Sequence, residues 1–156
     1  MYLWLKFFHV LAVVLFIGNI VTGVFWHKHA LRTNDARLIA HAMDGVLRSD
    51  RLFTLPGVLV IIASGVFAAM QAGFPLLSTG WILWSLVLFG ISGIVFGARL
   101  TPLQRRMRDF ARAGATSGVF DRVAYDRLSG QWDFWGAVAT LAPIGALALM
   151  VLKPAL

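Results

Sequence analysis

The stretch from Tyr2 to Trp26, YLWLKFFHVLAVVLFIGNIVTGVFW, decides the fold. It carries one charged side chain, Lys6, near its start. At about 1.5 Å per residue, about 25 residues cross a hydrocarbon core of about 30 Å with some tilt. Tyr2 and Trp4 at one end and Trp26 at the other suit the two membrane–water interfaces. The run is too long for the apolar core of a signal peptide, and no A-x-A-like cleavage site follows it. It reads as a retained first transmembrane helix.

Three further apolar runs follow, at about residues 52–71, 81–100 and 132–152. The 156 residues are 59% apolar and only 13% charged, with a mean hydropathy of +0.78. Soluble domains carry about 45–50% apolar and about 25% charged residues. The composition excludes a soluble globular domain and a disordered chain. The expected fold is all-α: a single polytopic membrane domain over 1–156, a four-transmembrane-helix bundle with two cytoplasmic helical hairpin extensions.

The charges set the orientation. There are 14 Lys and Arg against 7 acids, all of them Asp. Lys28, Arg32, Arg37, Arg48 and Arg51 lie in the first long connection. Arg99, Arg105, Arg106, Arg108, Arg112, Arg122 and Arg127 lie in the second, and the loop between the middle spans has none. Positive charge between spans marks the cytoplasmic side. Both long connections are therefore expected in the cytoplasm and both termini outside it, in a bacterial inner membrane. The excess charge records topology, and no nucleic-acid partner is expected. The bilayer is the expected partner, anionic leaflet lipids included. With no Cys there is no disulfide, thiolate ligand or Cys nucleophile.

Local signals refine this frame. Thr33, Asn34 and Asp35 predict a turn and an N-cap, with a helix rising from about Asp35. Pro56-Gly57 and Pro143 predict kinks. Gly93-x-x-x-Gly97, with Gly90 and Ser92, predicts close helix packing inside the bundle. Gly114 and Gly118 read as stop signals, and a helix from about Val119 or Phe120 is expected to feed the fourth span.

The histidines are the leading candidates for chemistry. His9 lies inside the first span, where polar groups are costly and face the protein interior. His27 is 18 residues later, five whole helical turns, so both imidazoles share one face about 27 Å apart. Paired-haem cytochromes use such a placement. The other spans contain no histidine. Haem at His9 would therefore be five-coordinate, paired with Met70 or Met150, or ligated across a dimer. An imidazole simply hydrogen-bonded within the bundle is the structural alternative.

His27 and His41 flank the Asn34 turn at equal distance, and Asp44 shares a helical face with His41. His27, His41 and Asp44 thus form a candidate N/O metal site. His29 is offset from His27 and points away. Asn19, Thr22, Ser64, Ser85, Ser92 and Thr140 read as interhelical hydrogen-bond partners. Asp50 with Arg51, and Asp133 near Arg127 and Arg99, read as interfacial ion pairs. No nucleophile–base set, phosphate loop or paired acids support a hydrolase or kinase.

Trp4-Leu5-Lys6-Phe7-Phe8-His9-Val10 with Gly18-Asn19 resembles the first helix of a bacterial membrane-protein superfamily. That superfamily includes copper-resistance protein D and the membrane protoporphyrinogen oxidase of haem synthesis. Across its length the chain most resembles the domain-of-unknown-function 2269 family. The resemblance rests on Gly18–Gly23, Trp26, Arg32-Thr33, Leu38–His41, Asp50, Phe53–Gly57 and Pro102–Met107. The oxidase implies haem b at His9, but its functional lysine has no counterpart in spans two and three. The copper proteins imply metal handling, without a Met- or His-rich path here.

The expected function is therefore that of an integral inner-membrane protein with haem b or a quinone-like redox partner at His9. Copper or other metal transport or sensing through the hairpin is the alternative. A non-catalytic subunit of a larger membrane complex is another, and a homo-oligomer is open.

Overall fold

A computed structural model describes residues 1–155. Its described elements are helices: α1 (Tyr2–Arg32), α2 (Ala36–Ser49), α3 (Leu55–Gln71), α4 (Gly80–Val95), α5 (Thr101–Ser117) and α6 (Arg122–Leu152). Two π-helical turns, Asp50–Thr54 and Phe96–Leu100, join α2 to α3 and α4 to α5. The chain therefore folds as four long rods, each long and apolar enough to cross a membrane.

The turn at Thr33-Asn34 forms as the sequence predicts. Asn34 takes a left-handed φ of 54°, and the Asp35 carboxylate caps α2 by accepting from Arg37 N at 2.7 Å. Asp121 caps α6 in the same way, accepting from Ala124 N at 2.9 Å. Gly118 ends α5 in the left-handed region, φ 73°. Gly114 does not stop the helix. It is buried inside α5, where Phe120 folds back so closely that a Cβ would lie 2.7 Å from Cδ2. The expected stop at Gly114 is in fact a seat for an aromatic ring.

The prolines act one turn earlier than expected. Proline lacks the N–H that would bond the carbonyl four residues back, and its ring crowds that carbonyl. Both π-turns end two residues before a proline, Pro56 and Pro102. The wider π-helical turn takes up the mismatch and the rod continues. Pro143 lies buried within an unbroken α6.

Packing differs sharply along the bundle. At the basic end the two hairpins, α1–α2 and α5–α6, press together through α2 and α5. Ile39, Met43, Met107, Ala111 and Tyr125 are fully buried there. Water can drive that burial, worth about 1.5–3 kcal/mol for each large side chain. In the membrane half, α1 packs along α3 and α4 along α6, but neither pair packs closely on the other. Lipid offers no hydrophobic force between helices. The pairs meet instead through Phe16 and Phe89, with ring centroids 5.8 Å apart. The small membrane core holds Ala12, Phe16 and Ile61.

Candidate functional site

A cavity of about 620 Å³ lies between the two helix pairs. Phe16, Ile20, Val58, Leu86 and Phe89 form its apolar body. Gly90, Gly93, Gly97 and Gly136 line it as well, and a Cβ at any of them would meet nothing within 4 Å. The glycine stripe of α4 thus does not bring a helix close. It leaves room, which corrects the packing role expected of Gly93-x-x-x-Gly97.

The basic-end wall of the cavity is polar. Asp50 opens the first π-turn, and its Oδ1 accepts from Thr54 Oγ1 at 2.8 Å and Asn19 Nδ2 at 3.3 Å. Its Oδ2 accepts from Gln104 Nε2 at 2.8 Å. Asn19 also donates to Thr54 Oγ1 at 2.9 Å. Asp50 makes no ion pair with Arg51, contrary to expectation, because its partners are these neutral side chains. Gln104 and Trp132 line the same cavity and are only 3% and 5% exposed. Gln104 Oε1 and Trp132 Nε1 each lack a protein hydrogen-bond partner. A buried unsatisfied polar group costs about 1–3 kcal/mol, so a partner from outside the chain would stabilise this wall.

His9 sits elsewhere, toward the opposite end. It is half-buried against α3, and its Nδ1 lies 2.9 Å from the Ile61 carbonyl. A carbonyl only accepts, so Nδ1 carries the proton and Nε2 is the free acceptor. Ser64 Oγ lies 3.4 Å from the same nitrogen and donates to the Val60 carbonyl. Gly65 supplies the flat surface beneath the ring. His9 is not among the residues lining the large cavity. Met70 is exposed on α3 and Met150 half-buried on α6, whose contacts with α1, such as His27–Tyr125 and Lys28–Asp133, lie at the basic end.

The hairpin residues do not converge. His27 is fully buried, with Nε2 3.2 Å from the Tyr125 hydroxyl and its ring edge-on to Trp132 at 4.9 Å. His41 is exposed. Asp44 pairs with Arg112 at 2.5 Å. The two helices of the hairpin turn these groups in different directions, His27 toward α6 and Asp44 toward α5. Among the described residues no group of three His, Asp or Glu side chains is placed to hold a metal. His29 points away from His27, as expected, and stacks on Phe25.

Of the polar residues within the spans, Asn19, Ser64, Ser85 and Ser92 do reach across helices. Ser85 donates to Ala146 O at 3.2 Å and Ser92 to Ala139 O at 2.6 Å. Thr140 bonds within its own helix, to Gly136 O. Asp133 pairs with Lys28 at 2.5 Å rather than with Arg127 or Arg99, and Arg99 lies over the Trp135 ring. The sequence reading met Gln104 only within the family segment Pro102–Met107 and gave it no role, although a long amide two residues after a proline at a membrane boundary was a signal.

No curated protein and no solved structure shows a significant match to this chain. A family model does, over nearly its whole length and in agreement with the four apolar rods. The model, described as "Predicted integral membrane protein (DUF2269)", matches residues 3–154, and the chain belongs to that family.

Proposed function

We propose that this protein binds a lipophilic molecule of the quinone class between its helix pairs, in a bacterial inner membrane with the basic end in the cytoplasm. The observation that carries the reading is the pairing of an apolar cavity with a polar wall that lacks partners. Ligand cavities of about 300–1,000 Å³ with apolar walls and a few polar groups are the usual form of such sites, and this one is about 620 Å³. Trp132 Nε1–H offers a donor and Gln104 Oε1 an acceptor, both unused by the protein. A quinone head accepts through its carbonyl oxygens, and the quinol form donates through its hydroxyls. An apolar tail fits along Phe16, Ile20 and Phe89.

The test is solvent extraction of the protein purified in lipid nanodiscs, followed by mass spectrometry. A near-stoichiometric quinone-class molecule is the expected result. Phospholipid alone, or nothing, would overturn the reading.

A second reading, haem b at His9, is favoured by one feature. A backbone carbonyl holding Nδ1–H and a free Nε2 is how metal-ligating imidazoles are oriented. Haem would supply a redox-active iron there. The large cavity has no histidine in its wall, so this haem would not occupy it. It would lie at the α1–α3 surface and call on a second copy for its other ligand. A Soret band abolished in His9→Ala is the expected signature. Its absence in the purified protein would dispose of the haem reading and leave the quinone reading standing.

A further inference from the structure

We propose that Asp50 is a proton-exchange group, reachable both from the membrane cavity and from the basic end of the bundle. A second, smaller pocket of about 80 Å³ also touches it, lined by Leu47, Arg51 and Arg105 among others. Asp50 and Gln104, with Leu55, Phe96 and Thr101, line both spaces, so the hydrogen-bonded pair forms part of the wall they share. Arg51 and Arg105 are exposed, which places the small pocket's mouth at the protein surface.

The partners of Asp50 set it apart from the other six acids. Asp44, Asp109, Asp126 and Asp133 are held in ion pairs. Asp35 and Asp121 cap helices. Asp50 is held by three neutral side chains from α1, α5 and its own π-turn. Protonating an ion-paired carboxylate forfeits the pair and strands a cation. Protonating Asp50 strands none, and each neutral partner has a hydroxyl or amide oxygen able to accept in return.

The charged surroundings are few. Arg51 on the π-turn and Arg105 on α5 line the small pocket. α1 presents the neutral Asn19, its Lys28 being paired with Asp133. On the second π-turn, Arg99 is stacked on Trp135. Arg48 on α2 is exposed, and α3 carries no charged residue. Among the described residues none of these cations comes within ion-pair distance of Asp50.

The step is a proton transfer only. A hydronium ion in the small pocket gives its proton to the Asp50 carboxylate and leaves as water. The proton then passes to an anionic oxygen of the molecule in the cavity (a quinol anion on the quinone reading), which becomes a neutral hydroxyl and restores the carboxylate. No electron enters or leaves the protein. The identity of the recipient rests on the quinone reading, whereas the two-sided access of Asp50 does not.

Carbodiimides test that access directly, because they attack a protonated carboxyl and leave a stable adduct. The full chain in proteoliposomes is treated with dicyclohexylcarbodiimide, which partitions into the bilayer, and separately with a water-soluble carbodiimide. Peptide mass mapping then locates the adducts. Both reagents are expected to modify Asp50, more so as pH falls. Gly93→Leu, which narrows the cavity, is expected to abolish the lipophilic labelling and spare the aqueous one. Labelling of Asp50 by one reagent alone, or by neither, overturns the proposal. Failure to extract a quinone would leave this result untouched, so the two readings fail separately.

Discussion

Gly65 and His9 are matched across the α1–α3 contact. A Cβ added at position 65 would come 2.9 Å from the ring's Cε1 and 3.0 Å from Nδ1. The ring is held there by the Ile61 carbonyl, 2.9 Å from Nδ1. The expected effect of Gly65→Ala is to push the imidazole off that carbonyl. The lost hydrogen bond costs about 1 kcal/mol, and alanine regains roughly 0.5–1 kcal/mol of helix stability. Thermal stability in detergent should therefore barely change while the His9 ring nitrogens shift in ¹⁵N NMR. A large fall in melting temperature with unchanged nitrogens would contradict this contact.

Gly93→Leu tests the cavity from the other side. A Cβ there meets nothing within 4 Å, and a leucine gains most of the roughly 1 kcal/mol of helix propensity that glycine lacks. The variant should be as stable as the parent or more so. It should also lose any molecule extracted from the parent. Destabilisation by more than about 1 kcal/mol, the onset of ordinary overpacking costs, would mean that the space is not open.

Gly114→Ala should behave in the opposite way. The nearest atoms include the Phe120 backbone Cα at 3.3 Å as well as its ring at 2.7 Å. A backbone atom yields less readily than a side-chain tip. Overpacking of this kind costs about 1–3 kcal/mol, more than the helix gain returns. A lowered melting temperature is expected, and Phe120→Ala in the same chain should relieve only the ring's share of the added methyl group's penalty, because the Cα and Cβ of residue 120 stay at 3.3 Å.

Two of the polar contacts of α6 with α1, Lys28–Asp133 and His27–Tyr125, should rank in an order that charge alone does not suggest. Lys28 and Asp133 are each 40% exposed, so Asp133→Asn is expected to cost no more than about 1 kcal/mol. Tyr125→Phe removes the hydroxyl that meets His27 Nε2 in a fully buried site. His27 Nδ1 has no protein partner already. Leaving the imidazole without either partner should cost about 1–3 kcal/mol. Thermal melts of the two variants check the order, and a reversed ranking would remove His27–Tyr125 from the core of the hairpin contact.

Much of the architecture was legible in the chain itself. Four apolar runs, the Asp35 cap, the Gly118 stop and the segregation of cations all follow from local chemistry, and each of these residues acts on its immediate neighbours. The ion pairs were not legible in the same way. Asp133 was expected near Arg127 and Arg99, yet it pairs with Lys28. Which cation it takes depends on how α1 and α6 are rotated, and sequence spacing does not report rotation between rods.

The site residues show the same limit. Helical spacing correctly put His9 and His27 on α1 and turned His29 away. It could not say that His27 would close on Tyr125, or that Asp44 would turn to Arg112. The glycines of α4 carried the least readable message. A stripe of small residues serves equally well to admit a neighbouring helix or to leave a gap beside it.

Four membrane-crossing rods with a charged end follow from the chain alone, because lipid admits only helices or closed barrels and apolar runs of about 20 residues fit helices. Only the tertiary structure decided where those rods touch. Water drives the polar hairpins together at the basic end, while lipid leaves the apolar halves free to part. The cavity, and Asp50 at its wall, exist because of that difference.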